Sequence, residues 1–90
     1  MKVTASSGFK CEINEDILND WRLTKAIVKS HSNDTEERSK AAVDMVSLIM
    51  RENEDTFYNF LADKNNGIVT EQMVVDDLGS IISQLKKLKN

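Results

Sequence analysis

The sequence lacks proline altogether and contains only three glycines and one cysteine in 90 residues. Because proline and glycine are the residues that most often interrupt regular structure, their scarcity favours helices over a turn-rich β fold. The single cysteine, Cys11, excludes an internal disulfide bond and suits a reducing cytoplasm. No apolar run approaches the roughly 20 residues of a membrane span, and no basic segment followed by an apolar one marks a secretory signal. We therefore expect a soluble cytoplasmic protein without membrane contacts.

Clustered positive charge is also scarce. The formal net charge is −3, which argues against nucleic acid as a partner because phosphate binding needs grouped cations. The only basic cluster is Lys86, Lys87 and Lys89, at the end of the last predicted helix, where the helix dipole favours cations. Ninety residues make one domain, residues 1–90, and its small core predicts marginal stability unless partners help.

The most regular stretch is a helix predicted over residues 70–88, with Thr70 as its capping residue. Its apolar positions recur at steps of four, three, four and three residues: Val74, Leu78, Ile81, Leu85 and Leu88. Val75 and Ile82 widen this line into a stripe that needs a large apolar surface against it. Asp76 and Asp77 fall on the polar side, where we expect solvated carboxylates.

The N-terminal segment is predicted to contain a short strand. Residues 9–13 alternate apolar with polar side chains, which is the period of a strand. Val3 and Ala5 offer a partner strand through a turn at residues 6–8; otherwise residues 1–7 form a flexible arm. Because an isolated two-stranded hairpin is unstable in water, it must pack on the helices or pair with another chain.

The first helix is predicted to begin after Asn14, a good N-cap, and to run to about residue 30. At helical spacing Ile17, Trp21 and Val28 share one face, and Leu23 broadens its apolar surface. Trp21, the only tryptophan, is therefore predicted to anchor the core. The alternative is an exposed binding residue, because the indole N–H also suits interfaces.

Two further helices are predicted over residues 35–51 and 55–64. The first of them follows a cap at Asn33 or Asp34 and is apolar over more than half its circumference. The second has Phe57 and Leu61 on its inner edge and ends at residues 65–67, where a glycine allows the left-handed turn. The expected fold class is mainly α: a small four-helix domain with a short N-terminal β-strand or hairpin.

No residue cluster resembles a catalytic or metal centre. Cys11 and His31 are single, and Cys11 occupies the apolar phase of a strand, where cysteine behaves as a small core residue. Residues 63–73 resemble a calcium loop, but counting from Asp63 places Gly67 at position 5 instead of 6 and Val74 at position 12 instead of glutamate. We predict no catalytic, cofactor-binding or metal-binding residues.

Apolar surface exceeds what one small core obviously needs. Either the four-helix core uses all of it, or part of it pairs with a second copy or with an amphipathic helix of another protein. The candidate partner-binding residues are apolar side chains on the second and last helices, namely Val43, Leu48, Met50, Met73, Val75 and Ile82. Methionines among them suit variable partners because the side chain adapts its shape.

Several short segments carry a family resemblance through their order and spacing. They are GFKCEINE at residues 8–15, LNDWRL at 18–23, VSLIM at 46–50, FYNFL at 57–61 and NGIVT at 66–70. In this order the chain resembles small tail-assembly chaperones of long-tailed phages and prophages of Gram-positive bacteria. It departs from that family after the second helix, where Met50 and Arg51 stand in place of a glycine.

The resemblance implies a non-enzymatic viral protein that acts in the cytoplasm of the bacterial host cell and is absent from the mature virion. Such chaperones bind the long helical tape-measure protein, keep it soluble and help tail-tube subunits assemble around it. The alternative is a small dimerising regulatory or adaptor protein of a mobile element, which would self-associate through the helix over residues 74–88.

Overall fold

The computed structural model describes residues 1–89, and the side chains of residues 1–87. In chain order its elements are strands β1 (Lys2–Thr4) and β2 (Lys10–Glu12), then helices α1 (Trp21–Lys29), α2 (Thr35–Met50), α3 (Glu54–Lys64) and α4 (Glu71–Lys89). Short 3-10 turns at Glu15–Asn19 and Arg51–Asn53 precede α1 and α3. The prediction of a mainly α, four-helix domain with an N-terminal hairpin is confirmed for the described part of the chain.

The two strands form an antiparallel hairpin in which Val3 lies opposite Cys11. Its turn closes through a hydrogen bond from the Ala5 N–H to the Phe9 carbonyl at 2.8 Å. Gly8 adopts a φ of 97°, a conformation that side chains other than glycine rarely take. Val3 and Ala5 are buried in the core. The expectation of a flexible arm over residues 1–7 is therefore wrong.

Two polar side chains of α4 hold the hairpin against the helices. The backbone N–H and the hydroxyl of Ser7 donate to the two carboxylate oxygens of Asp77 at 2.8 and 2.5 Å. Two helical turns further along α4, the Gln84 side-chain amide donates to the Thr4 carbonyl at 2.7 Å. Residues seven apart lie on one face of a helix, so both contacts come from the same side of α4.

Asp77 therefore corrects the prediction of a solvated polar face on the last helix. Its side chain is 1% exposed, although Asp76 beside it is exposed as expected. A buried carboxylate is tolerated because the two Ser7 donors satisfy it. These hydrogen bonds, together with the apolar contacts below it, explain how a two-stranded hairpin remains folded.

The core forms where the hairpin and the four helices meet. The α4 seam, consisting of Val74, Leu78, Ile81 and Leu85, is buried along its described length, and the Leu88 side chain lies outside the described residues. The Phe9 ring packs against the rings of Phe57 and Phe60, with centroids 5.3 and 5.4 Å apart. Offset and tilted ring pairs of this kind add to the free energy of burial.

The first predicted helix is interrupted, which is a correction. Asn14 caps only the 3-10 turn Glu15–Asn19, and Asp20 caps α1 by accepting from the Arg22 N–H at 2.9 Å. The interruption rotates α1 relative to an unbroken helix, so its core face carries Leu23 and Ala26.

Trp21 and Val28 consequently face outward. Their side chains are 75% and 66% exposed, so the predicted core anchor at Trp21 is wrong. Both residues belong to the helical period of α1, seven positions apart, but on the face opposite to the core. The alternative of an exposed tryptophan matches the structure.

Helices α2 and α3 end on backbone with positive φ. Arg51, which follows α2, has a φ of 52°. At the end of α3, Asn66 and Gly67 have φ values of 55° and 86°, and the Gly67 N–H donates to the Ala62 carbonyl at 2.8 Å. This second ending confirms the left-handed stop that the sequence predicts at residues 65–67.

Candidate functional site

The six apolar residues predicted to bind a partner differ in exposure. Val43 and Val75 are exposed at 58% and 42%. Leu48, Met73 and Ile82 are half-buried and pack against the core. Met50 is 1% exposed and is a core residue, so its assignment to a binding surface is wrong. As the last residue of α2, it lies below the 3-10 turn that leads into α3.

These residues do not form one surface. Val75 and Ile82 line an open cleft between α4, the end of α1 and the start of α2, which we name the α4 cleft. Leu48 lies in a groove between α1 and α2, and Val43 lines a smaller hollow beside Tyr58 and Val69. The structure thus brings two of the predicted residues together and separates the others.

The α4 cleft encloses about 590 Å³. Its floor is apolar and consists of Ala42, Met45 and Leu78, all of them buried. Its α4 wall carries Val75 and Ile82 with Gly79 between them, at one residue per helical turn. A cleft with an apolar floor and an apolar helical wall fits the nonpolar side of another helix.

Gly79 has no internal reason to be glycine. It lies inside α4, where glycine costs about 1 kcal/mol relative to alanine. A Cβ built at this position meets nothing within 4 Å, so no neighbouring side chain requires its absence. The missing side chain leaves the middle of the cleft wall open to close approach by another backbone. The sequence signal was present as a glycine inside a helical pattern, but its position facing the cleft needed the structure.

Polar side chains border the cleft at its α1–α2 end. His31, Arg38 and Glu71 line this edge. Arg38 donates from Nη1 to the Ser32 carbonyl at 2.9 Å, and Glu71 accepts a hydrogen bond from the Ser39 hydroxyl. Because Arg38 and Glu71 are already held by the loop and by α2, they border the cleft without converging on a point inside it. The arrangement suits docking more than chemistry on a small substrate.

Cys11 and His31 line separate surfaces. Cys11 belongs to a shallow hollow on the hairpin, whereas His31 lies at the edge of the α4 cleft. Partial burial raises the pKa of the Cys11 thiol, which keeps it protonated and weakly nucleophilic at neutral pH. Within the described residues, no group of three or more His, Cys, Asp or Glu side chains is placed to hold a metal ion.

The segment that resembles a calcium loop is used for helix ends. The Thr70 hydroxyl accepts from the Met73 N–H at 3.2 Å and so caps α4. The Asn65 amide donates to the Ile68 carbonyl at 3.1 Å, across the turn that follows α3. These polar groups are directed into the backbone of the turn and of the helix start.

The burial of the α4 seam bears on self-association, and the length and hydropathy of the helices bear on membrane crossing. Val74, Leu78, Ile81 and Leu85 are enclosed by the chain's own core, so a second copy cannot reach them while the domain is folded. Of the helices described, none is both long enough and apolar enough to cross a bilayer. Comparisons of the chain with protein-family models, with curated proteins and with solved structures give no match.

Proposed function

We propose that this chain is a non-enzymatic tail-assembly chaperone of a phage or prophage. In this role it acts in the cytoplasm of the bacterial host, binds amphipathic helical segments of the tape-measure protein, and does not remain in the mature virion. The α4 cleft is the docking surface. The observation that carries the proposal is an open cleft with an apolar floor and polar edges, in a domain whose own core is already closed.

The shape of the α4 cleft supports binding of a helix. Its α4 wall extends from Glu71 to Lys86, and these 16 residues of helix span about 22 Å. Four turns of an amphipathic helix would match that length and could place apolar side chains every three or four residues along Val75, Gly79 and Ile82. A tape-measure protein exposes such helical stripes until tail-tube subunits surround it, so covering them prevents aggregation.

The backbone at Arg51 supports the family resemblance at the place where the sequence departs from it. The resemblance expects glycine after the second helix, and Arg51 has a φ of 52°, in the region that glycine adopts most easily. Arg51 therefore gives the chain, at this position, a backbone turn of the kind that a glycine would allow. The chain's net charge of −3 would also help keep a chaperone complex in solution.

Co-expression with the tape-measure protein encoded beside it tests the proposal. We expect this chain to raise the soluble fraction of the tape-measure protein and to co-purify with it. Failure to bind or solubilise any tape-measure segment would remove the chaperone assignment. The location of the gene is a quick independent test. The proposal expects it between a tail-tube gene and a very long tape-measure gene.

Gly79 allows the docking surface to be tested without damage to the fold. In Gly79→Leu the new side chain enters open space, so the thermal midpoint should match or exceed that of the wild type while binding falls at least about tenfold. Asn59→Leu is the matched control, because Asn59 is an exposed helical residue of α3 that lines neither the α4 cleft nor the other two surfaces, and the same side chain is added there. Equal binding by both variants would place the docking surface elsewhere.

The alternative function, a small dimerising regulatory or adaptor protein, would need a surface other than the buried α4 seam. The hollow lined by Val43, Tyr58 and Val69 is one surface of this kind. Sedimentation velocity over a wide concentration range distinguishes the two functions. A stable dimer that Val43→Asp dissociates, without any effect on tape-measure solubility, would favour the adaptor.

A further inference from the structure

A second groove lies between α1 and α2, away from the α4 cleft. It encloses about 490 Å³ and contains the exposed Trp21, so we name it the Trp21 groove. Its α2 side carries Lys40 and Asp44, whereas the α4 cleft uses Ala42 and Met45 of the same helix. Residues two apart point to nearly opposite sides of a helix, so the two surfaces lie on different faces of α2.

The charge of the Trp21 groove is opposite to that of the whole chain. Four cations line it against one carboxylate: Arg22, Lys25, Lys29 and Lys40 against Asp44. The net charge of the protein is −3, so the groove is a local positive region on an acidic surface. Arg22 is already bound to Asp20, with Nη2 and Oδ2 2.7 Å apart.

The three remaining cations are available to a partner. Lys25, Lys29 and Lys40 form no ion pair with any residue that the structure describes. Two of them stand on the α1 wall and one on the α2 wall, so a segment lying in the groove would have a lysine on each side. Grouped lysines without partners repel one another and gain most from an added carboxylate.

The groove is polar at one end and apolar at the other. Because only five residues join α1 to α2, the helices run antiparallel, which places Lys29 near the start of α2 and Trp21 near its end. Leu48 lies at the Trp21 end. Ser47, at that same end, donates its hydroxyl proton to the Glu54 carboxylate at 2.7 Å.

We propose that the Trp21 groove binds an acidic amphipathic segment of a partner protein. An apolar or aromatic side chain of that segment packs between Trp21 and Leu48, and carboxylates one to two turns away contact Lys25, Lys29 and Lys40. The nine residues of α1 from Trp21 to Lys29 span about 12 Å, which matches two turns of a bound helix. This binding is independent of docking in the α4 cleft, so either can fail alone.

Nucleic acid fits the groove less well. Phosphate-backbone binding draws on many cations, and three free lysines beside Asp44 would make few contacts on a chain that is acidic overall. An apolar end formed by Trp21 and Leu48 is better matched by an aliphatic or aromatic side chain than by a sugar–phosphate strand.

The only tryptophan of the chain reports directly on this groove. The probe is a synthetic helical peptide with a leucine–phenylalanine anchor followed one turn later by three glutamates; its control replaces the glutamates with lysines. On titration we expect a blue shift of Trp21 emission with the acidic peptide and none with the basic one, weakening as salt increases. A matching response to both peptides, or to neither, would overturn the proposal.

Charge reversal localises the effect. The double variant Lys25→Glu with Lys40→Glu should lower the affinity for the acidic peptide by about tenfold or more at low ionic strength. Lys10→Glu with Lys87→Glu changes the net charge equally at exposed positions outside the groove and should have at most a small effect. An equal loss in both variants, or tighter binding of a single-stranded oligonucleotide than of the acidic peptide, would refute the assignment.

Discussion

Helices α1 and α4 show opposite relations between sequence pattern and burial. In α4 the apolar positions follow one unbroken period, and the described residues of that seam are all buried. Along the 3-10 turn and α1, an equally plausible apolar line consists of Ile17, Trp21 and Val28. Ile17 is buried in the core, whereas Trp21 and Val28 are exposed to solvent. The patterns look alike in sequence, but only α4 continues through its whole length as one helix.

The difference lies in the residue that begins each helix. Thr70 caps α4 ahead of all its apolar positions, so no later cap disturbs the period. Asp20 caps α1 in the middle of the apparent pattern and separates Ile17 from Trp21. A side chain that satisfies the free N–H groups of a helix start also resets the angular position of every residue after it.

The largest expected effect comes from placing carboxylates on the buried α4 seam. Leu78→Asp with Ile81→Asp buries two unpaired charges, at a cost of several kcal/mol each. A domain of this size has about 5–15 kcal/mol of stability in total, so the variant should be unfolded. Far-UV circular dichroism and sedimentation velocity will show whether helix and compactness are lost together.

The same change on α1 is the matched control. Trp21→Asp with Val28→Asp should remain folded, because both side chains are already largely in solvent. Unfolding of this second variant would mean that the apparent line through residues 17, 21 and 28 is buried after all, and the distinction between α1 and α4 would disappear.

A smaller effect is expected at the polar contact between α4 and the hairpin. Asp77→Ala leaves the Ser7 N–H and hydroxyl without acceptors and should lower the free energy of unfolding by about 1–3 kcal/mol. Asp76→Ala removes the same group from the neighbouring exposed position and should change it by less than about 0.5 kcal/mol. Urea denaturation of the two variants side by side gives the comparison; similar values would indicate that the hairpin does not depend on Asp77.

Arg51 marks a second point where a helix ends and its period is lost. Because its φ is 52°, Arg51→Gly should relieve backbone strain and raise stability by up to about 1 kcal/mol after the entropy of glycine is subtracted. Arg51→Ala removes the same side chain but keeps the Cβ, so it should give no such gain. Thermal unfolding of both variants will show whether the gain belongs to the backbone or to loss of the arginine charge.

The smallest effect concerns the cap of α1. Hydrogen bonding to Arg22 lowers the pKa of Asp20 below its ordinary value of 3.8. Because the pKa of Asp20 is lower in the folded state, its charge stabilises the protein at pH values above the ordinary pKa. That stabilisation is lost as the pH falls through the lowered pKa of the folded state. Asn also caps helices, so Asp20→Asn isolates the charge: the wild type should be the more stable protein at neutral pH, and the difference should vanish in acid. A difference independent of pH would assign the effect to geometry.

Much of the fold could be predicted because several helix boundaries carry explicit signals. Asp34 accepts from the N–H groups of Glu36 and Glu37, and residues 65–67 provide the left-handed turn after α3. What could not be predicted depends on contacts distant in sequence. Asp77 and Asp76 are the same residue type at adjacent positions, and only the location of Ser7, 70 residues away, determines which one is buried.

The candidate surfaces were less predictable for the same reason. Val75 and Ile82 could be identified because they widen a regular stripe beyond the seam. Met50 has the flexible apolar side chain that suits a binding surface. It is the last residue of α2, directly before the 3-10 turn Arg51–Asn53, and its side chain is buried. The Trp21 groove combines residues from two helices, and its lysines are dispersed in sequence, so no local count of charge reveals it.

Hydrogen bonds to Asp77 and from Gln84 join the hairpin to α4 across most of the described chain. During synthesis the hairpin leaves the ribosome before α4, and its acceptor and donor on α4 emerge 70 to 80 residues later. A contact that closes nearly the entire chain forms late and slows folding. We therefore expect the nascent polypeptide to stay open, with the underside of its hairpin uncovered, until α4 has cleared the exit tunnel.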